Sequence, residues 1–330
     1  MSKGAWQGRK VLVTGAAGFI GSHLVERLVE LGADVRALVR YTSTGGAGWL
    51  DSSPVRGALE VVRGDIGDFD SVRRVMQDRS VVFHLAALIG IPYSYCAVQS
   101  YLRTNVEGTL NVLQAARDLK LERVVCTSTS EVYGTARSVP MNEDHPLQGQ
   151  SPYAASKIAA DKLAESFHRS FGLPVSIVRP FNTYGPRQSM RAVIPTLIAQ
   201  SLAGSEVRIG SLTPRRDFNY VSDTVDGFLS SAAQEQAIGK TIHFGSGIEI
   251  SIEDLAQVIA RLLHKEIRLV ADEQRARPED SEVERLCADA TLARNLLGWQ
   301  PRVGLEEGLR RTIVWMADHR TGHLIKEYAV

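Results

Sequence analysis

Three glycines at a fixed spacing, Gly15, Gly18 and Gly21, constrain the fold of this chain more than any other feature. They follow a β-branched run, Lys10-Val-Leu-Val-Thr14, and open an amphipathic stretch that reads as a helix over Gly21–Leu31. Strand, glycine turn and helix in that order aim backbone N–H groups and the positive helix end at one point, which suits a pyrophosphate. Gly15 can make the tight turn, Gly18 lets the backbone approach the anion, and Gly21 allows close helix–strand packing, with Phe19 and Ile20 between them. The spacing is Gly-x-x-Gly-x-x-Gly, not the Gly-x-Gly-x-x-Gly of the ordinary dehydrogenases. Alone it could be incidental turn chemistry; at the first strand–helix junction it points to a dinucleotide.

The remainder of the first half repeats that alternation. Strands are predicted at Asp34–Val39, Leu59–Arg63, Val81–Leu85, Arg123–Ser128 and Val175–Arg179, with helices around Ser71–Gln77, Tyr101–Leu119 and Pro152–Phe171. Strands separated by helices imply a parallel sheet covered on both faces. The expectation is an α/β fold, a Rossmann-like doubly wound parallel sheet with a smaller C-terminal α/β substrate lobe. The dinucleotide-binding part is assigned to residues 1–179, and the substrate lobe mainly to 180–330, where Pro180, Pro186, Pro195 and Pro214 break the pattern. A strand-like run at Thr241–Gly245 suggests that residues 224–247 return to the main sheet.

Bulk properties narrow the partners. The 330 residues, 44% hydrophobic and 23% charged with net charge +1, give no basic face for nucleic acid. No run is long and apolar enough to span a bilayer. Met1–Lys10 lacks the apolar segment of an export signal, so the cytoplasm is the expected compartment. Cys96, Cys126 and Cys287 show no Cys-x-x-Cys spacing, and no His, Asp and Glu cluster suggests a metal. His84, in an apolar strand, reads as a satisfied core histidine.

Several strand ends fit a dinucleotide. Asp65, before Ile66, could hold the adenine amino group, and the small residues of Leu85-Ala86-Ala87 let a cofactor pass. The second strand ends Leu38-Val39-Arg40-Tyr41, without the acid that usually binds a ribose 2′-hydroxyl. Arg40 is either a solvated strand-end residue or a 2′-phosphate ligand. The missing acid tilts the expectation for a tightly bound NAD(P) towards NADP.

Tyr153 and Lys157 lie one turn apart on one helix face. A phenol near pKa 10 is a poor base at neutrality, and a neighbouring ammonium stabilises its phenolate. The pair could then accept a proton from a sugar hydroxyl. Upstream, Thr127-Ser128-Thr129-Ser130-Glu131 closes a strand at the ligand-binding edge of the same sheet.

With the glycine triplet, Ser128–Gly134 and Tyr-x-x-x-Lys stand Arg179-Pro-Phe-Asn182-Thr-Tyr-Gly-Pro-Arg187, Arg216–Asp223 and Arg277-Pro278. Together they resemble the extended short-chain dehydrogenase/reductase family over about Lys10 to Trp315. The resemblance is closest to nucleotide-sugar 4,6-dehydratases of the legionaminic-acid-pathway type, through Ala86–Tyr95, Gln148–Tyr153 and Arg277–Arg285. It implies that Thr129 hydrogen-bonds the C4 hydroxyl, Tyr153 takes its proton, Lys157 tunes Tyr153, and Glu131 works at C5 and C6. Many relatives carry Thr-Asp-Glu; here Ser130 stands in place of the Asp, so Glu131 could act as base and then acid. The same Thr-Ser-Glu run occurs in UDP-glucuronate decarboxylases, which keeps decarboxylation open, as it does 4-epimerisation and a cofactor-sensing binding protein that has lost the chemistry.

On the substrate side the resemblance places Asn182 on the phosphate or sugar, Val193-Ile-Pro195 under the nucleobase, and Arg216 and Arg277 on the pyrophosphate, with Arg191 nearby. For each arginine a surface ion pair is the plain alternative. Tyr93, Ser94 and Tyr95 would touch the sugar or pack in the core. A UDP-sugar substrate and a homodimer, formed by pairing the helices Tyr101–Leu119 and Pro152–Phe171 into a four-helix bundle, complete what the resemblance implies.

Overall fold

The computed structural model describes residues 3–272 and 278–319. Seven strands build one all-parallel sheet: β1 (Lys10–Thr14), β2 (Asp34–Arg40), β3 (Glu60–Gly64), β4 (Val81–His84), β5 (Arg123–Thr127), β6 (Val175–Pro180) and, far along the chain, Thr241–Phe244. Their spatial order is Thr241–Phe244, β6, β5, β4, β1, β2, β3. The last strand therefore returns to the sheet beside β6, with Ile242 opposite Val178, as its strand-like sequence predicts. The order of travel reverses between β1 and β4, and such a switch point leaves a crevice at the carboxyl ends of the strands.

Period-two alternation explains the layers. In β1, Val11 and Val13 pack into a core with Leu24, Val25 and Leu28 of α1 (Phe19–Glu30), while Leu12 faces the opposite core. That second core holds Val72 and Val75 of α2 (Phe69–Met76) and residues of the long helices that follow β4 and β5. Both sheet faces are thus buried, as a parallel sheet requires.

Between β4 and β5 lie α3 (Ile91–Cys96), α4 (Val98–Tyr101), a π-helical segment Leu102–Glu107 and α5 (Gly108–Asp118). The single helix expected over Tyr101–Leu119 is thus a rod whose first part is wound more loosely. Helix α6 (Pro152–Phe171) matches its predicted limits because its ends are written in the sequence. Ser151 Oγ accepts from the Ala154 amide at 3.1 Å, Pro152 occupies the first turn, and Gly172 closes the helix at φ 66°.

Beyond β6, the strands β7 (Asn182–Tyr184), β8 (Glu206–Ile209) and β9 (Arg215–Tyr220) precede β10, the returning strand Thr241–Phe244. Then come β11 (Glu249–Ser251), β12 (Arg268–Ala271) and β13 (Arg285–Leu286). β9 pairs with β7, β11 and β13, and β8 pairs with β12. Helices α7 (Val193–Ala203), α9 (Ile252–Leu262) and α11 (Leu305–Asp318) pack on these small sheets, while α8 (Val221–Ala233) lies beside α1 on β5 and β6 of the main sheet and α10 (Thr291–Leu297) packs against β10. Among the described residues no helix is long and apolar enough to cross a membrane.

Candidate active site

The glycine turn is built so that side chains cannot intrude. Gly15 has φ 68°, and a Cβ on it would sit 2.7 Å from the Ala86 nitrogen. A Cβ on Gly21 would meet the Gly15 carbonyl oxygen at 2.2 Å, so the start of α1 lies directly on the turn. Gly18 is exposed and ends the turn, and the helix begins at Phe19, two residues earlier than expected. Leu85 and Ala86 form the facing wall, and both donate their N–H to Thr14 Oγ1 at 3.1 Å. Ala87 follows them, half-buried, at the same edge. At the neighbouring strand ends Arg40 is exposed, Ile66 is buried, and Asp65 is exposed with Oδ1 accepting from Gly67 at 2.8 Å. This open backbone crevice with a helix N-terminus beside it fits a dinucleotide.

The catalytic candidates meet at the adjacent strand end. Thr129 is extended and caps a short 3₁₀ turn, Ser130–Tyr133, by accepting from the Glu131 amide at 3.2 Å. That turn buries Ser130 and brings Glu131, 9% exposed, beside Tyr153. Tyr153 is buried against Tyr101, with ring centroids 6.2 Å apart. Burial raises its phenol above the ordinary range and the nearby Glu131 charge adds to this, while a hydrogen bond with the Thr129 hydroxyl works the other way. Lys157 donates from Nζ to the Thr127 carbonyl at 2.6 Å, and burial lowers its pKa against the pull of Asp161. The sequence expectation that the ammonium brings the phenol down is therefore not the dominant effect in this arrangement; desolvation is.

The substrate-side candidates are less tightly gathered. Asn182 heads β7 with its Oδ1 buried and without a hydrogen-bond partner among the described residues. Arg191 is exposed and lies over Gly90, close to the hydroxyl of Tyr101; Tyr93, 39% exposed, packs on Tyr101 from the other side. Val193 is the first residue of α7. Arg216 is buried and paired with Glu282 at 3.2 Å, so it is tied to its own chain here. Arg277 lies outside the described residues. Among the described residues no group of three or more His, Cys, Asp and Glu side chains could hold a metal.

Two features escaped sequence reasoning. Ser128 Oγ donates to Asp161 at 2.5 Å, Arg179 pairs with Asp161 at 2.9 Å, and Arg179 also donates to the Tyr133 hydroxyl at 2.5 Å. Tyr133 in turn meets His243 Nε2 at 2.5 Å, linking β5, α6, β6 and the returning strand β10. The Tyr133 phenol is pushed up to about 12 by burial and His243 down to about 3, so both are neutral. The second feature joins α3 to the segments before α6 and before β13: Tyr95 and Ser281 hydroxyls meet at 2.6 Å, and Ser281 donates to the Gln150 carbonyl at 2.6 Å. Only contacts between residues distant in sequence reveal either group.

The family model described as GDP-mannose 4,6 dehydratase matches residues 12–312. A UDP-glucose 4-epimerase of Mycolicibacterium smegmatis is 36% identical, over 92% of this chain and 97% of that protein. A UDP-N-acetyl-alpha-D-glucosaminuronate decarboxylase of Bacillus cytotoxicus is 34% identical, over 94% and 98% respectively. Among solved structures, the dTDP-glucose 4,6-dehydratase DesIV of Streptomyces venezuelae, with NAD and TYD bound, superposes with a TM-score of 0.86 at 33% identity, covering 94% of this chain and 97% of that one. The chain belongs to the GDP-mannose 4,6-dehydratase-like family of extended short-chain dehydrogenases/reductases.

Proposed function

We propose that this chain is a nucleotide-sugar 4,6-dehydratase that uses a tightly bound NAD(P), with UDP-N-acetylglucosamine the favoured substrate. The observation that carries the reading is the buried Glu131, set by the Thr129-capped turn beside Tyr153. A 4-epimerase needs no base at C5, whereas loss of water across C5 and C6 does. The nicotinamide, when bound, would take hydride from C4 and return it to C6. Thr129 would hydrogen-bond the C4 hydroxyl and Tyr153 would hold its proton. Lys157, anchored on the Thr127 carbonyl, would supply the nearby positive charge. Glu131 would remove the C5 proton and, because Ser130 offers no carboxyl, would deliver it to the departing C6 hydroxyl as water; a proton taken up from solvent would then return to C5 as hydride reaches C6.

The 2′-position of the cofactor falls to Arg40, exposed where an acid is absent, and this favours NADP; the DesIV structure, by contrast, carries NAD. Titration with reduced NAD and reduced NADP decides between them. Asn182, Arg191, Val193 and Arg216 would bind the nucleotide sugar, Arg216 after leaving Glu282, with Arg277 and Tyr93 as further contacts. A homodimer would pair the α4–α5 rod and α6 with their copies, which sedimentation can test.

The competing reading is a UDP-uronate decarboxylase or 4-epimerase on the same frame, favoured by Ser130 and by the names of two relatives. Incubation with a panel of UDP-hexoses and UDP-uronates, followed by mass, separates them. Loss of water supports the dehydratase. Loss of carbon dioxide supports the decarboxylase, and unchanged mass with a new stereocentre supports the epimerase. Cofactor binding with no turnover of any nucleotide sugar would instead support a sensing protein.

A further inference from the structure

A second buried polar chain runs from the glycine turn to the catalytic helix, and its hydrogen atoms can be placed by counting. Thr14 Oγ1 accepts from the Ala86 amide and from the Leu85 amide, which it shares with the Thr14 carbonyl at 3.3 Å, and lies 2.9 Å from His84 Nδ1. With both lone pairs engaged, the Thr14 hydroxyl hydrogen is left for Nδ1, which must accept. On the other side of the ring, His84 Nε2 lies 3.1 Å from Thr109 Oγ1, and Thr109 donates its one hydroxyl hydrogen to the Asn105 carbonyl at 2.6 Å. Thr109 can therefore only accept from the ring, so Nε2 carries the proton.

The chain continues through the Asn105 side chain. Its Oδ1 accepts from the Leu88 amide at 2.8 Å, and its Nδ2 donates to the Leu88 carbonyl at 2.9 Å and to Ser156 Oγ at 3.0 Å. Ser156 Oγ then donates to the Tyr153 carbonyl at 2.7 Å. Asn105 lies in the π-helical segment, the looser winding that often marks a functional position in a helix. All five side chains are at most 3% exposed. In a dry interior each bond has one permitted direction, and a reversal at any link strands a donor or acceptor.

We infer that Thr14, His84, Thr109, Asn105 and Ser156 form a positioning relay, with His84 locked as the neutral Nε2–H tautomer, that fixes the glycine-turn wall relative to Tyr153. The inference rests on the reading of Tyr153 as the proton-holding group. Protonating Nδ1 would crowd four hydrogens onto one Thr14 oxygen. Burial, aided by the Lys157 charge, also brings His84 down to about 3, and its β5 neighbour Cys126 is a neutral thiol pushed up to about 12. The ring is held neutral from every side. None of the five residues need touch substrate; they set where Leu85, Ala86, Leu88 and the start of α6 stand.

The test has a spectroscopic and a kinetic arm. In protein labelled with ¹⁵N-histidine, His84 is expected to show a protonated Nε2 and an unprotonated Nδ1, unchanged from about pH 8 to about pH 5. The reverse tautomer or a charged ring would overturn the relay whether or not any substrate is turned over. With UDP-N-acetylglucosamine as the probe and each nicotinamide cofactor present, Thr109→Val is expected to lower kcat about tenfold, from a misplaced Tyr153. KM should stay within about twofold, and Thr109→Ser, which keeps the hydroxyl, should restore kcat. Wild-type kcat in Thr109→Val, or a loss that serine does not restore, sinks the inference. Tyr153→Phe separates the two readings: an active Tyr153→Phe enzyme removes Tyr153 from the chemistry and the relay with it. An inactive one, beside a fully active Thr109→Val, rejects the relay alone.

Discussion

Arg179 and Asp161 form an ion pair at 2.9 Å, each side chain 5% exposed, and the same Asp161 oxygen accepts from Ser128 at the strand end that leads to Thr129 and Glu131. The pair thus braces the end of β5 that leads into the Thr129–Glu131 turn. Removing one member leaves a buried charge without its partner. Asp161→Asn should therefore cost about 3–5 kcal/mol of unfolding free energy in urea titrations. Arg179→Lys should recover little of it, because one ammonium cannot reach both Asp161 and Tyr133 as the guanidinium fork does. A loss below about 1 kcal/mol for Asp161→Asn would mean that the pair is solvated in solution.

The glycine turn allows a graded prediction. Gly15→Ala combines a positive φ with a Cβ placed 2.7 Å from a backbone nitrogen, which neither chain can relieve without moving β1 from β4. Binding of reduced cofactor, followed by fluorescence, should weaken at least about 100-fold, an allowance of roughly 3 kcal/mol for strain at such a position. Gly18→Ala, whose Cβ would meet the Gly15 oxygen at 3.3 Å without φ strain, should weaken binding less. Equal losses for the two would show that the backbone approach at Gly18, and not the turn at Gly15, limits binding.

What the sequence made legible follows from the range of the physics. The β-branched run of β1, the glycine triplet after it and the extent of α6 rest on local signals, and each element appears where it was read. The return of Thr241–Phe244 to the sheet was also readable, since its Ile-His-Phe run is buried in the way a β-branched and aromatic segment suggests. The π-helical winding at Leu102–Glu107 was not, because the same residues fit an α-helix and their local pattern does not choose between the two windings. Nor could spacing show that Arg216 would be tied to Glu282, or that Lys157 would turn to the Thr127 carbonyl. The motif names the groups; burial decides their charge.

Tyr153 yields a pH prediction whose sign follows from burial. Its folded pKa lies above the ordinary phenol value and its base form is the one needed at C4, so kcat/KM should climb with pH through the neutral range. Lys157→Met removes the one buried ammonium at this helix face and should move that limb to higher pH, with kcat at neutrality reduced about 100-fold or more. Glu131→Gln should leave cofactor and substrate affinity intact yet abolish solvent exchange of the C5 proton, read by mass in deuterium oxide. A flat pH profile together with normal exchange in Glu131→Gln would place the base elsewhere.

His84 and His243 make stability depend on pH in a direction that can be worked out. Both are held near 3 in the folded protein against an ordinary value of 6.5, chiefly by burial and secondarily by Lys157 and Arg179. As pH falls below 6.5 the unfolded chain takes up these two protons while the folded chain does not, so folding weakens. Each histidine contributes a slope of about 1.4 kcal/mol per pH unit in that window, and nothing above it. Asp217, Asp223 and Glu143, raised by burial, act in the opposite sense: the stability they contribute is lost as pH rises from the ordinary carboxylate range through their raised folded values. Urea unfolding between about pH 7.5 and pH 5 should therefore carry this histidine slope, with His23 adding to it in the same direction, and His84→Gln should make stability fall less steeply with acid by about 1.4 kcal/mol per pH unit. A slope unchanged by both His84→Gln and His243→Gln would mean that neither ring is kept neutral by the fold.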